Sequence, residues 1–226
     1  MKPLIKQLEG KLIVSVQAYP GEPMRHPETM AQIAEAAVQG GAAAIRCQGL
    51  SDIAAIKGRV EVPVIGLWKE GHSGVYITPS ARHAQACINA GSDVVAIDAT
   101  SRLRPDGTTF EDTVAAIKDK TLIMADCSCM DDIKRAIDAG VDIVSTTLAG
   151  YVEGTTKTKG PDLEFLSKAA ELTKNCNDVA LFCEGRIHTL EDAKAAFDAG
   201  AFSVVVGTAI THPTSITQWF VNAIKK

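Results

Sequence analysis

Gln17, Arg46, Lys69, Asp98, Asp126, Thr146-Thr147, Glu184 and Gly207-Thr208 share one place in the pattern of this chain. Each stands at or just past the end of a short apolar run. A lysine and several carboxylates gathered at one point could take a proton from carbon and return it. Lys69 lies two residues beyond Leu67, in Ile65-Gly66-Leu67-Trp68-Lys69. A lysine partly withdrawn from water holds its proton less tightly, so it can act as a base or form an imine. Glu184, set between an apolar run and Gly185, could stay ionised beside that lysine or shuttle protons itself. A salt bridge to Arg186 is the competing use. Asp126, after Met124-Ala125, has the same alternatives. Gly185-Arg186 and Gly207-Thr208-Ala209-Ile210 follow the last two runs. Backbone N–H groups exposed at such glycines, with a short helix behind them, suit a phosphate.

The runs themselves are the elements that must position these residues. Leu12 to Val16, Val94 to Ile97, Leu122 to Ala125 and Ser203 to Val206 are almost continuously apolar, as strands buried on both faces are. Ala42 to Arg46, Val62 to Leu67, Asp142 to Thr146 and Val179 to Phe182 are weaker examples, making eight. Amphipathic, helix-length stretches separate them. Met30, Ile33, Ala34, Ala37 and Val38 form one apolar stripe. Thr109 with Asp112, and Thr189 with Asp192, have capping-box spacing, and Thr78-Pro79 is expected to cap a further helix. Gly40-Gly41, Ala90-Gly91, Ala139-Gly140 and Ala199-Gly200 are expected to end helices just before strands. Eight strand-then-helix units predict an α/β fold, a compact single-domain (β/α)₈ TIM barrel over residues 1–226, with a doubly wound sheet as the rival. A barrel places chemistry where its strands end, which is where the polar set stands. Rim ion pairs explain one or two such residues; a polar residue at every strand end points to a shared site.

Composition narrows the function classes. The chain has 226 residues, 46% of them hydrophobic, and a net charge of −4, so no basic surplus points to nucleic acid or an anionic membrane surface. No apolar stretch approaches the roughly 18 residues of a membrane span. Lys2, Lys6 and Lys11 precede an apolar run, but that run is short and Pro20-Gly21 follows it, so a cytoplasmic location is expected. Cys47, Cys87, Cys127, Cys129, Cys176 and Cys183 supply no zinc tetrad and read as reduced thiols. His26, His72, His83, His188 and His212 lack metal-like spacing, and His83 reads as a helix-surface residue. No Walker A or GxGxxG pattern follows a strand. No metal and no nucleotide cofactor is expected.

Ser15-Val16-Gln17-Ala18, Ala44-Ile45-Arg46, Val64-Ile65-Gly66 leading to Lys69, Asp98-Ala99-Thr100, Arg104-Pro105-Asp106-Gly107, Met124-Ala125-Asp126, Ile143 to Tyr151 and Glu184 to Thr189 form an ordered set of segments. From about Leu12 to Ile224 the chain resembles the N-acetylmannosamine-6-phosphate 2-epimerases of bacterial sialic acid degradation. That resemblance implies a (β/α)₈ barrel interconverting N-acetylmannosamine 6-phosphate and N-acetylglucosamine 6-phosphate. It implies Lys69 and Glu184 as catalytic residues, and Gln17, Arg46, Asp126 and Thr146 as sugar contacts. Gly185, Arg186, Gly207, Thr208 and His212 become the phosphate grip. The family commonly has arginine where this chain has His212, and a histidine lacks that fixed bidentate fork. The remaining alternatives are a Schiff-base aldolase on the same barrel and a non-catalytic phosphate-binding barrel. A homodimer is possible.

Overall fold

Parallel strands buried on both faces must be covered by helices outside and by side chains inside, and a closed barrel does both. A computed structural model describes residues 1–225. Its strands are β1 (Leu12–Val16), β2 (Ala44–Gln48), β3 (Val64–Leu67), β4 (Val94–Asp98), β5 (Leu122–Asp126), β6 (Ile143–Ser145), β7 (Ala180–Glu184) and β8 (Ser203–Val206). They pair in chain order, all parallel, and β8 closes on β1 with Ile13 opposite Val205. The expected barrel is therefore the observed fold, and the doubly wound sheet is excluded.

Alternation along each strand divides the apolar side chains between two cores. Ile13, Ala44, Ile65, Leu67, Val94, Ala96, Met124, Ile143, Ala180, Phe182 and Val205 fill the interior. Val14, Ile45, Val64, Val95, Ile123, Val144, Leu181 and Val204 pack outward against the helices. The first helix, α1 (Pro3–Lys6), brings Ile5 into the interior core together with Leu8, and Leu8 accepts a hydrogen bond from Ser203 at the start of β8. The strand-entry end is thereby plugged and the opposite end left open.

The outer ring comprises α2 (Pro27–Gln39), α3 (Leu50–Lys57), α4 (Ala81–Asn89), α5 (Phe110–Ile117), α6 (Met130–Ala139), α7 (Leu163–Thr173) and α8 (Leu190–Asp198). Thr109 and Thr189 start α5 and α8 with complete capping boxes, as their spacing predicts. Gly41, Gly91, Gly140 and Gly200 all have positive φ, so the expected helix endings also hold. Two local expectations fail. Ser80, not Thr78, precedes the first residue of α4; Thr78 has φ +45 and exchanges hydrogen bonds with the backbone of Trp68. His83 is buried, not on the surface, because Ser80 and Glu70 hold its two ring nitrogens at 2.7 Å each while the ring packs on Trp68.

After β8 come a single turn, α9 (Thr208–Thr211), and then α10 (Pro213–Ile224). No residue of α10 is buried. All six cysteines are free, four of them buried. Among the described residues, no helix is long and apolar enough to cross a membrane, and no group of His, Cys, Asp or Glu is arranged to hold a metal ion.

Candidate active site

The strand C-terminal ends surround a cavity of about 270 Å³. Gln17, Arg46, Lys69, Glu184, Gly185, Arg186, Gly207, Thr208 and His212 all line it. On its floor Arg46 is almost wholly buried and grips two carboxylates. Its Nη1 lies 2.9 Å from Asp126 Oδ1 and its Nη2 2.6 Å from Asp126 Oδ2, while Nη1 also pairs with Glu184 Oε2. Thr147 Oγ1 donates within this cluster, 2.8 Å from Asp126 and 3.0 Å from Glu184. Glu184 thus pairs with Arg46, not with Arg186. Burial raises its pKa above the ordinary carboxylate value, and Asp126 adds to that, against the guanidinium of Arg46.

Lys69 stands over this floor. The loop that carries it folds back on itself: Lys69 bridges antiparallel to Ile77, and Glu70 donates to Tyr76. The ammonium makes no ion pair among the described residues and sits 4.7 Å from the centre of the Tyr19 ring. Loss of water foremost, and the positive charge of Arg46 next, push its pKa down to about 8, while Glu184 and Asp126 oppose the shift. A lysine so placed is a base near neutral pH. Gln17 donates to Ser15 Oγ at 2.9 Å and leaves its buried Oε1 unpartnered. An orphaned acceptor beside a cavity calls for a donor from whatever fills it.

Not every expected site residue faces the cavity. Asp126 is completely buried under Arg46 and reaches the site through Arg46 and Thr147. The Thr146 hydroxyl donates to the backbone carbonyl of Glu184 and accepts from its N–H, stitching β6 to β7 outside the cavity lining; Thr147 is the neighbour that turns inward. Asp98 is bound by Thr100 and Arg102, also away from the cavity. The guanidinium of Arg186 is occupied as well: Nε donates to Gly160, Nη1 to Ala149 and Nη2 to Thr158. Gly185 and Arg186 both have positive φ, which turns the backbone sharply at the end of β7. His212 hydrogen-bonds Glu22 and Ser215, so neither ring nitrogen is free. Tyr19, Tyr76 and Tyr151 are also in the lining; Tyr151 ends the family-like segment from Ile143, but none of the three was expected at the site. No motif announces Tyr19 or Tyr76; three loops place the rings together.

A closed parallel barrel whose charged residues cluster at the strand C-terminal ends belongs to the (β/α)₈-barrel enzymes. Residues 30–226 match the family described as "Putative N-acetylmannosamine-6-phosphate epimerase". A relative from Cutibacterium acnes, described as an N-acetylmannosamine-6-phosphate 2-epimerase of that same standing, is 53% identical, the match covering 98% of this chain and 97% of that one. Another from Caldanaerobacter subterraneus is 46% identical over 99% of this chain and 94% of its own. The solved structure of the N-acetylmannosamine-6-phosphate 2-epimerase from Clostridium perfringens superposes with a TM-score of 0.92 at 40% identity, covering 99% and 97% of the two chains. The chain belongs to this epimerase family.

Proposed function

We propose that this chain interconverts N-acetylmannosamine 6-phosphate and N-acetylglucosamine 6-phosphate, in the cytoplasm, during sialic acid degradation. The observation that carries the chemistry is Lys69: half-buried, without a carboxylate partner among the described residues and facing the cavity. Inverting C2 requires breaking a C–H bond, and that hydrogen is acidic only when C1 is an aldehyde, so the open-chain sugar reacts. Lys69 takes the C2 proton, and the electron pair of the C–H bond moves through C1 onto O1. A donor at O1 stabilises the resulting enediolate. Delivery of a proton to the opposite face of C2 gives the epimer.

Glu184 is the second catalytic group in this reading, held against Arg46 and raised toward its protonated form. Arg46, with Asp126 behind it, fixes Glu184 and orients the chain, while Gln17 Oε1 accepts from a sugar hydroxyl. Thr147 takes the place expected of Thr146. The phosphate lies against the backbone of Gly185, Gly207 and Thr208, and its remote binding positions C2 for reaction. The deciding experiment is proton NMR with N-acetylmannosamine 6-phosphate in D₂O. The gluco epimer with deuterium at C2 is expected; a cleaved carbon skeleton would overturn the reading.

The active form is a homodimer in this reading. On α10, Phe220 is 71% and Ile224 78% exposed, with Trp219 and Val221 beside them, an apolar set that a second copy would cover.

A further inference from the structure

His212 belongs to the expected phosphate grip and lines the cavity, but its ring is already engaged. Nδ1 accepts from Ser215, whose backbone N–H is 3.3 Å away and whose Oγ is 2.7 Å away, as the cap of α10. That leaves Nε2–H as the ring's single donor, and Glu22 takes it. Arg186 offers no substitute, since all its nitrogens serve loop carbonyls and Thr158. His188, on the same wall, turns its ring onto Trp219 at 4.7 Å. A phosphate reaching this end of the cavity therefore meets a carboxylate sitting on the donor it needs.

We propose that Glu22 competes with the substrate's phosphate for His212, and that this competition sets how tightly the chain holds phosphate. The contest reaches the catalytic end as well. Glu22 also accepts from the backbone N–H of Tyr19 at 2.6 Å, and the Tyr19 ring lies against the ammonium of Lys69. Glu22 is thus a positioning residue joining the β8 loop to the β1 loop. When phosphate takes His212, Glu22 keeps only the β1 loop, and Tyr19 moves with it.

Glu22→Gln removes the charge while keeping the shape: His212 and the Tyr19 N–H meet different oxygens of Glu22, and the amide retains one of these two acceptors. Isothermal calorimetry with inorganic phosphate reads the effect without turnover. The variant should bind phosphate about three- to tenfold more tightly, as expected for removing one unit of like charge near a dianion in a water-exposed setting. In a His212→Gln background the gain from Glu22→Gln should fall by at least half, which a general charge effect would not show. Phosphate affinity unchanged or weakened in Glu22→Gln, or absent from both proteins, would overturn the proposal. The identity of the sugar phosphate rests on the epimerase reading. Given that reading, the KM for N-acetylmannosamine 6-phosphate should fall by the same factor. Tighter phosphate binding without epimerisation would sink the epimerase reading and leave the competition standing.

Discussion

Arg46 and Asp126 form a two-pronged ion pair that is withdrawn from water on both sides, with side-chain exposures of 1% and 0%. Glu184 adds a second carboxylate to the same guanidinium. Removing the arginine would leave two buried carboxylates facing each other without a counter-charge. Breaking such a pair typically costs about 3–5 kcal/mol. Arg46→Met should lose about that much stability at pH 8. The orphaned carboxylates would have folded-state pKa values raised above their unfolded ones, so the penalty exists above the unfolded values, about 4, and shrinks as pH falls toward them. Urea unfolding at pH 5 and pH 8 checks this: an equal loss at both pH values would show that the pair's charges do not matter.

Lys69→Met keeps bulk and deletes the base. C2 exchange in D₂O should fall at least 10²–10⁴-fold, with the fold retained. On the proposed mechanism the neutral amine takes the C2 proton, so kcat/KM should rise with pH and level off above about 8. Glu184 raises the Lys69 pKa through its charge. Glu184→Gln should therefore impair turnover severely and move what remains of the acid limb to lower pH. A limb that stays in place would mean that Glu184 is not ionised while Lys69 titrates.

The inward set was legible because a strand's parity carries past its end. Ile13 and Ser15 lead to Gln17, Ile65 and Leu67 to Lys69, Met124 to Asp126, and Phe182 to Glu184. The same parity from Ile143 through Ser145 selects Thr147 over Thr146, so that miss lay in the reading and not in the signal. His83 is different. Its burial depends on Glu70 and Trp68, which the loop between β3 and α4 returns to it, and no periodicity within α4 encodes that partnership. Glu22 and His212 stand 190 residues apart, and nothing local relates them. Local patterning reports which way a residue faces, and tertiary closure decides what it meets there.

Proton abstraction by Lys69 needs no electrophilic metal and forms no covalent adduct. Activity should survive exhaustive treatment with EDTA unchanged. Activity lost and restored only by a divalent metal would contradict the cofactor expectation. Borohydride added during turnover should leave the protein mass unaltered. A reduced adduct on Lys69 would point instead to imine chemistry of the aldolase kind.

The last prediction concerns α10. In a (β/α)₈ barrel, the helix after the eighth strand should bury an apolar face, yet α10 buries no residue. Its Trp219, Phe220, Val221 and Ile224 are all exposed, and Leu190 at the start of α8 is 86% exposed. An apolar helix face left in water in this way suits association with a second copy. Sedimentation equilibrium should give twice the chain mass of 23.9 kDa at micromolar concentration. Phe220→Asp combined with Ile224→Asp places two charges where the second copy would sit, and should shift the protein to the monomer mass. Because neither side chain is buried within the chain, far-UV circular dichroism should be unchanged, which separates lost association from lost folding. His188 and Trp219 touch at 4.7 Å, so α10 also borders the cavity, and the monomer should show a raised KM. A wild type that sediments as a monomer would refute the dimer, and an unchanged KM in the variant would refute its link to the site.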